Sequence, residues 1–175
     1  MPIIRAFIAI ELPPELKTEL AQLQTRLKKA SPPVVKWVDP QTMHITLKFL
    51  GDTSDAGTDE LMLAIEEAAK GVSPFQLAIR GVGSFAASDR TETVWVGVNG
   101  DMEQLALLQK NIETNTEQLG YKREKRPFSP HLTLGRVRDE ARPSDCQRIT
   151  RLLTETDFSS VNNIKVTAVN LLKSQ

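Results

Sequence analysis

The stretch Pro130–Arg136 (PHLTLGR) has a counterpart earlier in the chain, Met43–Phe49 (MHITLKF). The chain contains 2 histidines, and each one begins the pattern histidine, aliphatic residue, threonine, leucine. Apolar and polar residues alternate in both stretches, which is typical of a β-strand with one buried face. Because successive side chains of a strand point to opposite faces, the histidine and the threonine share one face of each strand. The repeated pattern predicts two strands that present two imidazoles and two hydroxyls to one cleft.

The two imidazoles, those of His44 and His131, are the candidate catalytic groups. Histidine changes charge near neutral pH, so one ring can be neutral while the other is protonated. A matched pair across a cleft can therefore act as general base and general acid on the two oxygens of a phosphoryl transfer. The other phosphate oxygens need donors as negative charge builds on them. Thr46 and Thr133 lie at the right offset from the histidines to be those donors.

Two cations near the motifs are candidates for binding the phosphate. Lys48 follows Thr46 by two residues, and strict alternation places it on the same face of the strand. Arg136 follows His131 by five residues, and strict alternation places it on the opposite face. Arg136 can reach the cleft only if the strand bulges or bends at Gly135.

Other kinds of site are less well supported by the sequence. Two histidines, without a cysteine cluster or carboxylates at ligand spacing, do not make a zinc site, so we expect no metal and no other cofactor. Neither Ser129 nor Cys146 lies in a recognisable nucleophile elbow. Gly81–Gly83 is more typical of a turn than of a nucleotide-binding loop. The formal net charge of +0 gives no general indication of nucleic-acid binding.

Helical and extended segments alternate along the 175 residues, but not as strict strand-helix-strand units. Periodicity predicts helices at 15–29, 59–69, 102–119 and 143–153, and strands at 3–10, 34–38, 44–50, 75–82, 93–98, 131–138 and 164–172. A polar run at 88–92 predicts the turn of a hairpin. Hairpins favour an α+β fold with largely antiparallel sheets over a doubly wound parallel sheet. The spacing of the histidine strands predicts two similar lobes that face each other.

At these motifs the sequence resembles the 2H phosphoesterase superfamily, whose members carry paired His-x-Ser/Thr motifs. The resemblance is strongest to the RNA 2′,3′-cyclic phosphodiesterases, historically called 2′-5′ RNA ligases. Beyond the motifs in His44–Gly51 and Arg126–Arg136, the segments Arg5–Pro13 and Val94–Val98 resemble strands of that family. The resemblance extends over nearly the whole chain.

The resemblance implies a single domain, residues 1–175, with two pseudo-symmetric lobes around a central groove. Each lobe is expected to be a mostly antiparallel sheet with helices on its outer face. The implied reaction is metal-independent hydrolysis of RNA or nucleotide 2′,3′-cyclic phosphate to the 2′-phosphate. In that reaction His44 is assigned as the acid at the departing 3′ oxygen and His131 as the base on water, although the sequence does not distinguish the two roles.

Two other activities remain open on the same residues. One is a ligase that joins 2′,3′-cyclic phosphate ends to 5′-hydroxyl ends, and the other is a non-catalytic module that binds RNA ends. The basic run Tyr121–Arg126 before the second motif is either a solvated linker or a contact for the phosphate backbone. Aromatic residues for base stacking are few, and Phe7 and Phe128, the nearest to the motifs, are expected in the core.

The expected partner is RNA, or an oligonucleotide, with a 2′,3′-cyclic phosphate end. No apolar run approaches the length of a membrane span, and the N-terminus lacks the pattern of a secretory signal. A single cysteine suits a reducing compartment. We therefore expect a cytoplasmic protein that does not contact a membrane, and we expect it to be a monomer.

Overall fold

A computed structural model of the chain describes residues 3–87 and 90–174. The described part contains eight strands and four α-helices, with short 3-10 helices at Pro40–Thr42 and Asp55–Gly57. The strands are β1 (Ile3–Glu11), β2 (Val35–Trp37), β3 (His44–Ser54), β4 (Phe75–Ala87), β5 (Arg90–Gly100), β6 (His131–Val137), β7 (Ile164–Val166) and β8 (Asn170–Lys173). The α-helices are α1 (Pro14–Ala30), α2 (Thr58–Ala69), α3 (Met102–Glu117) and α4 (Pro143–Thr154).

The strands form two sheets in which every pairing is antiparallel. The smaller sheet has the order β3-β1-β8, and the larger sheet has the order β2-β6-β5-β4-β7. Strand β1 is the centre of the smaller sheet, and the run Ala6–Ile10 is buried. A nearly continuous apolar run fits a strand that is covered on both faces. The predicted α+β fold with two antiparallel sheets is confirmed.

Two of the helices pack on the sheet that does not contain the strand before them. Helix α1 follows β1 of the smaller sheet but contacts the larger one, because Gln24 hydrogen-bonds to Leu134 of β6. Helix α3 follows β5 of the larger sheet but packs on β3 of the smaller one, and α2 packs on α3. Helix α4 packs on β4 and β5. Buried side chains from both sheets and from these helices belong to one hydrophobic cluster.

Two of the predicted segments differ from the structure. The strand predicted at 164–172 is wrong as a single element, because β7 pairs with β4 in the larger sheet and β8 pairs with β1 in the smaller one. The Gly81–Gly83 turn is also wrong, because these residues lie inside β4, where Gly81 has a φ of +82° at a register shift. The predicted hairpin turn at 88–92 includes residues 88 and 89, which lie outside the described part. Within that part, no helix is long and apolar enough to cross a bilayer.

Candidate active site

The two histidine strands are neighbours although they belong to different sheets. Strand β3 carries His44 and Thr46, β6 carries His131 and Thr133, and Cα atoms of the two strands come within 8 Å of each other. All four side chains are partly exposed, whereas the alternating aliphatic residues Ile45 and Leu132 are buried. The period-two pattern of each motif therefore separates a buried face from an open face that carries the polar groups.

Each imidazole is tied to the backbone two residues before it. His131 Nδ1 lies 2.7 Å from the carbonyl oxygen of Ser129. The ring of His44 hydrogen-bonds to the backbone of Thr42. A carbonyl oxygen can only accept, so the contact with Ser129 places a proton on Nδ1 of His131 and leaves Nε2 available to a ligand. Each histidine thus contacts the backbone of the residue two positions before it.

One aromatic ring packs against each histidine. The ring of Phe7 stacks on His44 with centroids 4.6 Å apart. Phe85 meets His131 edge-on at 4.9 Å and also contacts Trp95 at 5.6 Å. These contacts restrict the rotation of both imidazoles and remove water from their sides. Burial lowers the pKa of His44, and the nearby positive charge of Lys17 acts in the same direction.

The strands bulge at the same position of both motifs, three residues after the histidine. On β3, Leu47 is the extra residue between the pairs Ala9–Thr46 and Ile8–Lys48. On β6, Leu134 is the extra residue between Trp95–Thr133 and Val94–Gly135. A bulge with one extra residue reverses the alternation of the side chains that follow it.

The bulge at Leu134 brings Arg136 to the open face. Arg136 pairs with Thr93 of β5, and Thr133 pairs with Trp95, two residues further along the same strand. Residues two apart on a strand share a face, so Arg136 lies on the face of Thr133 and His131. Its side chain is exposed. The sequence analysis requires a bulge or bend at Gly135 for Arg136 to reach the histidine face, and the structure has a bulge beside Gly135. Contact between Arg136 and a phosphate remains a prediction.

The prediction that Lys48 lies on the histidine face is wrong. The bulge at Leu47 turns Lys48 to the buried side of β3, where its side chain is only 4% exposed. Lys48 Nζ lies 2.8 Å from Oε1 of Glu113 on α3 and donates to the carbonyl of Lys122 at 2.8 Å. The ammonium is thus part of a buried ion pair on the side of β3 away from the histidine, so Lys48 is not available to bind a phosphate on the open face.

Phe49 takes the place on the open face that the sequence assigned to Lys48. It pairs with Phe7 across the strands, with ring centroids 6.2 Å apart, and it is 75% exposed. Phe49 is the counterpart of Arg136, because both follow their histidine by five residues. Aligning the two motifs matches Phe49 to Arg136 and is a signal for this residue, but strict alternation places Phe49 on the buried face. The expectation that Phe7 lies in the core is correct only in part, because its ring is 9% exposed but covers His44.

The basic run 121–126 is held in place at several points. Lys122 accepts the hydrogen bond from Lys48, and the amide of Glu124 donates to Oε2 of Glu113 at 3.1 Å. Arg123 forms an ion pair with Glu117 at 2.8 Å. Apart from Tyr121, every side chain of the run is exposed.

In the described residues, no cluster of three or more histidine, cysteine, aspartate or glutamate side chains could hold a metal ion.

Comparisons with known proteins find similar sequences and similar structures. A family model described as the 2′-5′ RNA ligase superfamily matches residues 12–175. A protein of Methanothermobacter thermautotrophicus named RNA 2′,3′-cyclic phosphodiesterase is 31% identical over 172 residues, which cover 98% of this chain and 90% of that protein. The apo structure of E. coli LigT is 26% identical with a TM-score of 0.76, covering 100% of this chain and 90% of that one. LigT complexed with 3′-AMP is 24% identical with a TM-score of 0.76, covers 99% and 90% of the two chains, and shares the fold.

Proposed function

Since the chain belongs to the 2′-5′ RNA ligase superfamily, we propose that it is an RNA 2′,3′-cyclic phosphodiesterase that converts 2′,3′-cyclic phosphate ends to 2′-phosphates. The observation that carries the proposal is the matched setting of His44 and His131 on neighbouring strands, each ring tied to the backbone two residues earlier. Relatives named RNA 2′,3′-cyclic phosphodiesterase support the substrate class. We further propose that residues 1–175 form one domain with two lobes.

The reaction needs one proton taken and one proton given. His131 accepts a proton from water as the water oxygen forms a new bond to phosphorus, and the bond from phosphorus to the 3′ oxygen breaks. His44 gives its proton to the departing 3′ oxygen. The products are a 2′-phosphate and a free 3′-hydroxyl. His131 then releases its added proton to solvent, and His44 takes one up.

The contact of His131 with the backbone suits the role of base. With the proton of the neutral ring held on Nδ1 by the carbonyl of Ser129, 2.7 Å away, Nε2 keeps a lone pair for the proton of water. When His131 is protonated, the same carbonyl accepts from the imidazolium and stabilises it. The tether thus fixes the orientation of the ring in both protonation states.

The role of acid at His44 depends on the substrate. Burial lowers the pKa of His44 in the free protein, which favours the neutral ring. A negatively charged phosphodiester beside the ring favours the charged form and raises this pKa. Binding of the cyclic phosphate therefore brings the acid into its protonated state.

The phosphate oxygens that do not react are bound by neutral and charged donors. Thr46 and Thr133 supply hydroxyl groups two residues after each histidine, and Arg136 supplies a guanidinium on the same face as His131 and Thr133. A guanidinium can bind two phosphate oxygens at once with charge-assisted hydrogen bonds. We propose that these three residues, without Lys48, hold the phosphate between the imidazoles.

An assay with a 2′,3′-cyclic nucleotide in EDTA tests the proposal. We expect conversion to the 2′-phosphate without added metal, and we expect His44→Ala and His131→Ala each to lower kcat by about 10²–10⁴-fold. Circular dichroism should show both variants folded, since the two rings are partly exposed. Full activity in either folded variant would refute the assignment.

The same assay separates the other two activities. Product that forms only when a 5′-hydroxyl oligonucleotide is added identifies a ligase, in which that hydroxyl replaces water. Binding of the cyclic end without turnover identifies a non-catalytic module. We also propose that the protein acts as a monomer in the cytoplasm, where its 1 cysteine stays reduced. Light scattering in solution tests the oligomeric state.

A further inference from the structure

We propose that Gln24 is a positioning residue, which holds the bulge at Leu134 and thereby keeps Arg136 on the open face. The inference rests on the proposed function, in which Arg136 binds the phosphate. Gln24 belongs to the buried stripe of α1, together with leucines at 16, 20, 23 and 27. It is 8% exposed, and an amide is costly in an apolar stripe unless it is hydrogen-bonded. Its position in the stripe therefore calls for polar partners.

The partners of Gln24 are two backbone carbonyls at the bulge. Its Nε2 donates to the oxygen of Leu134 at 2.9 Å and to the oxygen of Val38 at 2.6 Å. The amide of Val38 also donates to the oxygen of Leu134, at 2.9 Å. Leu134 is the extra residue of β6 relative to β5, so it has no partner on β5, and its carbonyl is bonded on the other side, toward β2. Gln24 joins the bulged carbonyl to the end of β2 and fixes both.

The bulge decides which face Arg136 occupies. Without the extra residue, regular alternation from Thr133 would turn Arg136 to the buried face and bring Gly135 to the open one. Loss of the Gln24 donor leaves the carbonyl of Val38 without this hydrogen bond in a partly buried setting, which favours relaxation toward regular pairing. The side chain of Gln24 does not need to touch the substrate to control the guanidinium that does.

The other motif has an equivalent contact, which supports a role tied to the bulge. Gln109 of α3 donates from Nε2 to the carbonyl of Leu47, the bulged residue of β3, at 3.4 Å. Each bulge is thus contacted by a glutamine from a helix that is remote in sequence. The contact of Gln24 is shorter, double and more deeply buried, and it lies on the strand of Arg136.

A double-mutant cycle tests the inference. Gln24→Met keeps the length of the side chain and removes the donor, and we expect kcat/KM on a 2′,3′-cyclic nucleotide to fall about 10-fold. In an Arg136→Ala background, the same substitution should cost less than about 2-fold, because there is no guanidinium left to misplace. Gln22→Met is the matched control, since Gln22 is exposed on the same helix. It should change neither kcat/KM nor Tm.

A purely structural role would give a different result. Ile149→Val in α4 removes a buried methylene group and should lower Tm. Any change that it causes in kcat/KM should be the same with and without Arg136→Ala, because it does not act through Arg136. Equal losses for Gln24→Met with and without Arg136 would overturn the inference. A crystal structure of Gln24→Met decides it independently of catalysis. If Leu134 still bulges and Arg136 still shares the face of Thr133, the inference fails, whatever activity the wild type has.

Discussion

The neutral ring of His44 should make the stability of the protein depend on pH. Its pKa in the folded state lies below the ordinary value of 6.5, because the ring is half-buried. The unfolded chain therefore binds more protons than the folded one between these two pKa values, and the free energy of unfolding falls as pH is lowered through that window. Above 6.5 the contribution is fully present. We expect the Tm of the wild type to fall between about pH 7.5 and 5.

The variant His44→Gln isolates this contribution. It keeps a polar side chain but cannot be protonated, so it should lose less Tm than the wild type over the same pH range. The comparison is between slopes, because the loss of stacking on Phe7 shifts the Tm of the variant at every pH. Identical slopes in the two proteins would contradict the effect of burial on His44.

Phe49 should contribute to the binding of a nucleobase. A phenyl ring that is 75% exposed beside the stacked pair of Phe7 and His44 offers a face to a base. Stacking of a base on an aromatic ring is worth about 1–3 kcal/mol. We therefore expect Phe49→Ala to raise KM for a 2′,3′-cyclic nucleotide by about 10-fold with little change in kcat.

Two further variants control this measurement. Phe49→Trp keeps a stacking surface and should retain the wild-type KM. Val161→Ala removes an apolar side chain that is even more exposed, at 87%, and should leave KM unchanged. If kcat falls and KM does not change in Phe49→Ala, then Phe49 supports the catalytic geometry and not the base.

The two cations near the motifs mark the limit of what the sequence predicts about the site. The histidines and threonines follow from a period of two, because each pair lies before the bulge of its motif. Lys48 and Arg136 lie beyond the bulge, so the same rule assigns both to the wrong face. The bulge itself depends on distant partners, such as Gln24, which is 110 residues from Leu134. Local alternation contains no information about such contacts.

At the scale of elements, the buried ion pair links β3, α3 and the basic run 121–126. Lys48 and Glu113 are 4% and 7% exposed in their side chains. Removing one partner leaves a buried charge uncompensated, which typically costs about 3–5 kcal/mol. We expect Lys48→Met to lower the free energy of unfolding by about this amount in denaturant titrations. Faster hydrogen exchange at the amide of Glu124, which donates to Glu113, should accompany it.

Replacing both Lys48 and Glu113 tests whether the loss of stability comes from an uncompensated buried charge. The double variant Lys48→Met/Glu113→Leu has no buried charge, and it should recover most of the stability that Lys48→Met loses. The matched control is Lys70→Met, because Lys70 forms an ion pair of the same 2.8 Å length with Glu67 on the surface. That control should be close to neutral. A similar loss in both lysine variants would refute the role of burial.

The elements themselves were largely predictable from sequence, but their assignment to sheets was not. Helix periodicity located all four α-helices to within a few residues, because each one has a regular apolar stripe. The segment 164–172 has the composition of one strand, yet the structure divides it into β7 and β8 in different sheets. Its partners β4 and β1 are far away in sequence, and pairing with them decides where the chain leaves one sheet for the other.

At the scale of the whole molecule, the two lobes are joined by the path of the chain. Strands of the smaller sheet come from the beginning, the second fifth and the end of the sequence, and the larger sheet takes the intervening strands. Helices α1 and α3 each pack on the sheet to which the preceding strand does not belong. Neither lobe is therefore a continuous piece of chain, and we expect them to unfold together.

Tryptophan fluorescence can show whether the two sheets unfold together, because it follows the unfolding of the larger sheet alone. Both of the 2 tryptophans, Trp37 in β2 and Trp95 in β5, belong to the larger sheet, so their fluorescence reports on that lobe. Leu61 lies in α2, which packs on α3, the helix that contacts β3 of the smaller sheet, and it is 0% exposed. Leu61→Ala should cost about 2–5 kcal/mol, which lowers Tm by about 2–4 °C per kcal/mol for a chain of this size. If the lobes unfold as one unit, fluorescence and far-UV circular dichroism will show the same lowered Tm. Leu63→Ala, an exposed site on the same helix, should shift neither signal. If Leu61→Ala lowers the Tm measured by circular dichroism but not the Tm measured by fluorescence, the larger sheet stays folded when the smaller sheet has unfolded.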